Sequence, residues 1–346
     1  MKKALLLLAL IAIGSGLAVV LLYGFSSKPN ERRNGFNRQR AIPHLKPKYL
    51  SWQVNGATDI AGATDDELFF QTSDPTQIIR TSDDFSSIKM VYLPMQANTS
   101  LQSNFRIVID DAHTFVYASN MPAIYCINLK TGAINCHWLL RKFSRGIALD
   151  TSRYIVRALD TGLGDQVIES VNIDKNTEVP FKNILECKHD AGFSTDGLLL
   201  YDQSSHLLIY KYFYANRFVT FDTCLLHISR HTTIDTNFTL PDNGKKMSKA
   251  GYRPTYTLSA APIFSTITSC LDDGILYCSS ALQADNERTS DFLSNSVIDC
   301  YNAVTGIYRG SFYVPRQKGE QVVHIFARNR RIIALYSHCV AVYQLP

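Results

Sequence analysis

Eight cysteines, nine histidines and 30 acidic residues are the raw material for chemistry in this 346-residue chain. His227 and His231 stand four apart, a spacing that on a helix puts two imidazoles on one face, where they can share a metal. Their setting, His-Ile-Ser-Arg-His, reads as a strand, and residues four apart in a strand lie about 13 Å from one another. No metal site is expected there. Asp65-Asp66-Glu67 and Asp272-Asp273-Gly274 are acidic clusters that suit calcium. Each falls at an expected hairpin tip, where Asp serves the turn. Tyr210, Tyr212 and Tyr214 alternate to one side of a strand, as a stacking platform or as core. Gly162-Leu163-Gly164 lacks the strand–glycine–helix setting of a nucleotide loop. There is no Gly-x-Ser-x-Gly, His-Glu-x-x-His, P-loop or Cys-x-x-Cys. The motifs therefore imply no catalytic residues, no metal ligands and no cofactor.

One cysteine pair can be argued from register. If Lys130-Thr131-Gly132 is a three-residue hairpin loop, Leu129 faces Ala133 and Cys126 faces Cys136. Cross-strand Cβ atoms sit about 4.5–5.5 Å apart, and a disulfide prefers about 3.8 Å. A Cys126–Cys136 bond is then feasible but strained, and two buried thiols are the alternative.

These residues sit on strands. From Tyr49 onward, short runs of Val, Ile, Tyr and Phe alternate with turn residues, and no segment keeps a helical period. The clearest unit runs Phe105–Ile109, Thr114–Ala118, Ala123–Leu129 and Ile134–Leu139, a four-stranded meander. Its phrase Tyr125-Cys126-Ile127-Asn128-Leu129-Lys130-Thr131-Gly132 returns as Asp299-Cys300-Tyr301-Asn302-Ala303-Val304-Thr305-Gly306. Similar meanders occupy 57–93, 145–180, 192–232 and 263–314. The last unit, 321–346, has three strands. The repeat is of the length of a propeller blade apart from one wide gap. The strand-like Tyr49–Val54 is free to complete the last unit and close the ring. The fold expected is all-β, a six-bladed β-propeller of four-stranded antiparallel blades over 49–346, with a pair of β-sandwiches as the alternative.

The wide gap holds two insertions. Residues 233–262 join one blade to the next and carry Lys245, Lys246, Tyr252 and Arg253. Residues 281–295 lie between the second and third strands of the fifth blade and carry Asp285, Glu287, Arg288 and Asp291. Strands of a meander alternate in direction, so both insertions emerge on one face. Long loops on a rigid scaffold carry function, and these eight residues are the candidate binding set for a protein partner or small ligand.

Lys2 and Lys3 precede an apolar run from Ala4 to about Phe25, long enough for a spanning helix. Residues 1–25 are expected to be an uncleaved anchor, with a cleaved signal peptide as the alternative. Lys28, Arg32, Arg33, Arg38 and Arg40 follow, and by the positive-inside rule they argue for a cytoplasmic C-terminal side. The short basic start argues for export, which is preferred. Residues 26–48 read as a flexible basic linker. The composition, 46% apolar, 11% aromatic and 19% charged, excludes a disordered chain or a coiled coil. Mean hydropathy of −0.06 excludes a polytopic membrane protein. A net charge of +5 without a concentrated basic face excludes a nucleic-acid partner.

The repeated meander resembles six-bladed propellers of the TolB-like and NHL-like kind, in particular exported bacterial propellers with an N-terminal anchor. The resemblance covers about residues 49–346 and implies a fold, not an activity. Thr81-Ser82-Asp83-Asp84-Phe85-Ser86-Ser87-Ile88 also resembles the Asp-box of sialidase propellers, with Phe85 in place of its Gly and Ile88 in place of its Trp. In that family the box is a turn element. Together these features imply a binding or scaffold module at the periplasmic side of the inner membrane. The alternative is a propeller enzyme of lactonase, lyase or glycosidase type with a divalent ion in the central channel.

Overall fold

Runs such as Leu68-Phe69-Phe70, Phe115-Val116-Tyr117 and Leu208-Ile209-Tyr210 have no polar face. Successive side chains of a strand point to opposite sides, so each run needs apolar cover on both. A ring of sheets standing face to face supplies it. The computed structural model, which describes residues 11–21, 34–42, 45–95, 101, 104–110, 113–119, 121–241 and 261–346, shows that ring.

Helix α1 covers 11–21, then β1 (Arg40–Ile42) and β2 (Pro47–Ser51) precede the blades. Blade 1 comprises β3 (Asp59–Ala63), β4 (Glu67–Gln71), β5 (Gln77–Ser82) and β6 (Ile88–Tyr92). Blade 2 comprises β7 (Phe105–Ile109), β8 (His113–Ala118), β9 (Ala123–Asn128) and β10 (Ile134–Trp138). Blade 3 is β11 (Phe143–Ala148), β12 (Arg153–Asp160), β13 (Asp165–Asn172) and β14 (Thr177–Phe181). Blade 4 is β15 (Gly197–Asp202), β16 (Leu207–Tyr212), β17 (Arg217–Asp222) and β18 (Ser229–Thr232). Blade 5 holds β19 (Thr266–Asp272), β20 (Ile275–Ser280), the short helix α2 (Thr289–Ser294), β21 (Asn295–Asn302) and β22 (Tyr308–Pro315). Blade 6 holds β23 (His324–Arg328), β24 (Arg331–Leu335) and β25 (Val340–Gln344).

Alternation divides each second strand between two neighbours. Leu68 and Phe70 pack with Ile333, Leu335, Val340 and Val342 of blade 6, while Phe69 between them joins Ile107 and Val116 of blade 2. Phe115 and Tyr117 meet Tyr154 and Val156 of blade 3. Tyr210 and Tyr212 face the blade 3 core and Ile209 faces blade 5. These two tyrosines are therefore core; Tyr214 lies beyond the strand.

The last blade is closed as expected, but by β2, a few residues earlier than Tyr49–Val54. Leu50 pairs with Ala341 and Ser51 with Val340, antiparallel, which covers the β25 edge. In blade 4 the outer strand is Ser229–Thr232. The intervening loop is wound around Asp222, whose Oδ1 accepts the amides of Cys224 and Leu226.

The repeated Asn-x-x-Thr-Gly phrase has one conformation in both places. Asn128 Oδ1 accepts the Lys130 and Thr131 amides, and Asn302 Oδ1 those of Val304 and Thr305. The glycine amides then donate to the Asn carbonyls, at 2.8 Å in one loop and 2.9 Å in the other. Gly132 and Gly306 sit at φ 71° and 72°, where a Cβ would be strained. The loop so closed has four residues, with Asn128 opposite Ala133. The register slips by one from the expected pairing: Cys136 faces Tyr125 and Cys126 faces Asn135. A one-residue slip sends side chains to opposite faces, so Cys126 is buried, Cys136 is exposed, and both are free thiols. The Cys126–Cys136 disulfide is thereby corrected.

The expected linker is also corrected where it is described. Residues 34–42 lie on blade 5, with β1 added as a fifth strand parallel to β22. Arg38 is only 4% exposed. Leu45 is buried in the core between blades 5 and 6. Among the described residues no helix is long and apolar enough to cross a membrane. The rest of the apolar run lies outside them.

Candidate binding site at the channel mouth

Each blade begins with its innermost strand, so β3, β7, β11, β15, β19 and β23 line a central channel of about 1460 Å3. These strands run in one direction, and their first residues share one mouth. Blade-to-blade connections and second-to-third hairpins emerge on that upper face. Backbone hydrogen bonds tie them together there: Ala281 N–H to Ser265 O (3.1 Å), Ser265 N–H to Phe213 O (2.8 Å) and Arg316 N–H to Ser294 O (3.0 Å). The described parts of both insertions thus share one face.

At the upper mouth stand Asp59, Arg106, Arg145 and His324. A bulge between Phe143 and Arg145 shifts the β11 register and re-aims the side chain that follows. Arg145 Nε donates to Gly197 O (3.1 Å) and Nη1 to Ser144 O (3.1 Å). Its Nη2 lies 3.9 Å from Asp196 Oδ1, beyond hydrogen-bond reach. Arg157 backs the site, with Nη1 donating to Ser144 Oγ (2.9 Å) and Asp196 Oδ1 (3.2 Å) and Nη2 to Gly192 O (2.6 Å). Gly192 is required here: a Cβ would stand 2.7 Å from Arg157 Nη2, and its φ is +80°. Among the described residues Arg106 Nε has no hydrogen-bond partner, and it lies 3.9 Å from Asp59 Oδ2. Asp59 in turn faces His324 Nδ1 at 3.3 Å.

Three guanidiniums thus meet two carboxylates, Asp59 and Asp196. Burial holds Arg145 below its ordinary pKa; Asp196 pulls it back up, while Arg106 and Arg157 depress it further. An anion placed here would relieve that repulsion, and a guanidinium fork matches carboxylate or phosphate. Phe213, also at the cavity wall, packs with Phe264 (6.4 Å between ring centroids), which lies 4.9 Å from Tyr214. At the other mouth Asp272 is pushed up by burial and by Asp202 and Asp273. Asp273 (φ 47°) and Gly274 (φ 70°) form the hairpin tip expected from sequence.

The eight candidate residues are divided. Lys245, Lys246, Tyr252 and Arg253 lie outside the described residues. Asp285, Glu287 and Asp291 are engaged by the N-terminal segment. Asp285 accepts the amides of Asn34 (2.6 Å) and Gly35. Glu287 and Asp299 clamp the buried Arg38: Nε donates to Asp299 Oδ1 (2.8 Å), Nη1 to Glu287, and Nη2 to Ser280 Oγ (2.6 Å) and Leu282 O (2.9 Å). Tyr313 OH donates to the other Glu287 oxygen (2.7 Å). Burial would lower the Arg38 pKa, but Asp299 and Glu287 outweigh it and hold it above the ordinary value. Asp291 lies 3.6 Å from Arg40. Arg288 stays exposed. His227 pairs with Asp222 (2.7 Å) and His231 with Thr220 (3.2 Å). In the Asp-box-like turn, Asp84 accepts from Ser82 and Ser86, and Phe85 takes the glycine conformation at φ 62°. Among the described residues no three His, Cys, Asp or Glu side chains come together as metal ligands.

Arg106 and Arg145 were not singled out from sequence. Their signal was a basic residue at the start of the first strand in two successive units.

The ring of blades defines a six-bladed β-propeller. No family model matches the sequence, and no curated protein matches it. The chain is similar in fold to a member of the DUF4221 family from Bacteroides vulgatus (TM-score 0.53, 11% identity, 90% of this chain and 98% of that one). It is similar to a streptogramin B lyase (TM-score 0.50, 12% identity, 86% and 98%). TolB from Acinetobacter baumannii is more distant (TM-score 0.46, 12% identity, 82% and 65%). At these identities the likeness concerns the fold alone.

Proposed function

We propose that the protein is a binding module, tethered to a membrane of the bacterial envelope by its N-terminal apolar segment, that takes a small anionic ligand at the upper channel mouth. The observation that supports the ligand class is the arginine pair: Arg106 and Arg145 line the channel, and the carboxylates that face them, Asp59 and Asp196, stand 3.9 Å away, beyond hydrogen-bond reach. Phe213 at the cavity wall, backed by Phe264 and Tyr214, suits an apolar body on the same ligand.

Calorimetric titration with inorganic phosphate and with citrate tests the reading. Binding that falls at least tenfold in Arg145→Gln and Arg106→Gln is expected, since a lost charge-assisted hydrogen bond costs about 1.5–3 kcal/mol. Equal affinity in wild type and both variants overturns it. The tether is tested separately by carbonate washing of membranes: the full chain should stay with the pellet, and a mature N-terminus beyond residue 20 would show a cleaved signal.

A further inference from the structure

The upper face bears exposed apolar side chains that no blade interface uses. Leu140, Phe193, Phe238, Ile263, Leu293 and Val323 are each between 38% and 85% exposed. All belong to blade-to-blade connections or to the insertion of blade 5, so topology puts them on one side of the ring, spread from blade 2 to blade 6. Tyr92 and Trp138, the last residues of β6 and β10, are exposed at the rim of the same face. Amphipathic rings of this kind favour a membrane–water boundary. Lys142 and Arg288 are exposed there too.

The N-terminal segment joins the propeller on this face. Asn34 is held on it: its Nδ2 donates to Gln283 O (2.7 Å), and its carbonyl accepts from Thr236 Oγ1. Thirteen steps, at most about 45 Å of chain, join this anchored Asn34 to Leu21, so the apolar segment departs from this side. We propose that the upper face rests on the lipid surface into which the N-terminal segment inserts, with its apolar tips in the headgroup boundary. This seat rests on the tether reading above. It turns the arginine mouth toward headgroup phosphates and leaves the Asp272 mouth open to water.

The chain carries its own reporters. Cys187 is exposed in the connection between blades 3 and 4, on the upper face, and Cys224 is exposed in the β17–β18 loop, on the opposite one. Full-length C136S/C224S and C136S/C187S, each labelled briefly with bimane, are reconstituted into phosphatidylcholine vesicles with and without phosphatidylglycerol and with nitroxide-bearing lipid. At least twofold stronger quenching at Cys187 than at Cys224 is expected, rising with phosphatidylglycerol. Adding L140E/F193E should abolish the difference while leaving the melting temperature unchanged, because both residues are exposed. Equal quenching in protein that floats with the vesicles overturns the seat and leaves the tether standing. Protein that does not float overturns both.

Discussion

Replacing Arg38 by Met removes the cation that Glu287 and Asp299 share, while keeping the length and apolar stem of the side chain. Both carboxylates stay buried: their side chains are 1% and 5% exposed. Breaking a buried pair by deleting one partner costs about 3–5 kcal/mol, because the remaining charge is left uncompensated. A domain of about 300 residues has an unfolding entropy near 0.6 kcal/mol/K, so the loss corresponds to roughly 5–8 °C in melting temperature. If the N-terminal segment detaches before the ring unfolds, the same energy appears locally. The Ser311 amide, which donates to Gln39 O at 2.8 Å, would then lose its protection from hydrogen exchange. R38K keeps the charge but not the planar fork, and should fall between wild type and R38M. Calorimetry and hydrogen exchange are the assay. An R38M protein that melts within a degree of wild type, with Ser311 still protected, refutes the claim that this arginine fastens the segment.

Glu169 offers a pH test. Burial, opposed by Arg141 and reinforced by Glu178, pushes it up to about 7, above its unfolded value near 4.3. Between those values the folded state holds the extra proton, so stability should fall as pH rises through the window, and E169Q should flatten the urea midpoint between pH 5 and 7.5. G197A should destabilise by about 1–3 kcal/mol, since its Cβ would stand 2.3 Å from the Lys211 carbonyl oxygen, which is backbone and cannot swing away; an unchanged melting temperature would count against the packing described. In native protein a thiol reagent should modify Cys136, Cys187 and Cys224 quickly and half-buried Cys300 slowly, leaving Cys126, Cys270, Cys278 and Cys339 until denaturant is added; a native Cys126–Cys136 bond would show as two missing thiols after unfolding.

The sequence by itself determined the ring. Apolar runs without a polar side demand cover on both faces, and the turn phrases between them set the meander. The recurrence of Asn-x-x-Thr-Gly marked equivalent hairpins, and a three-stranded last unit required a strand from the N-terminal side. Those signals are local, and nearest-neighbour physics suffices to read them. What the tertiary structure decided depends on residues far apart in the chain. Nothing near Arg38 shows that its partners are Glu287 and Asp299, more than 240 positions away, so a basic stretch without apolar period reads as a tether. The Cys126 register turned on one extra residue in a loop, which Asn128 fixes through hydrogen bonds to the next turn. The channel mouth escaped for the same reason. Arg106 and Arg145 are single polar residues in separate strands, and only closure of the ring brings their charges to one opening.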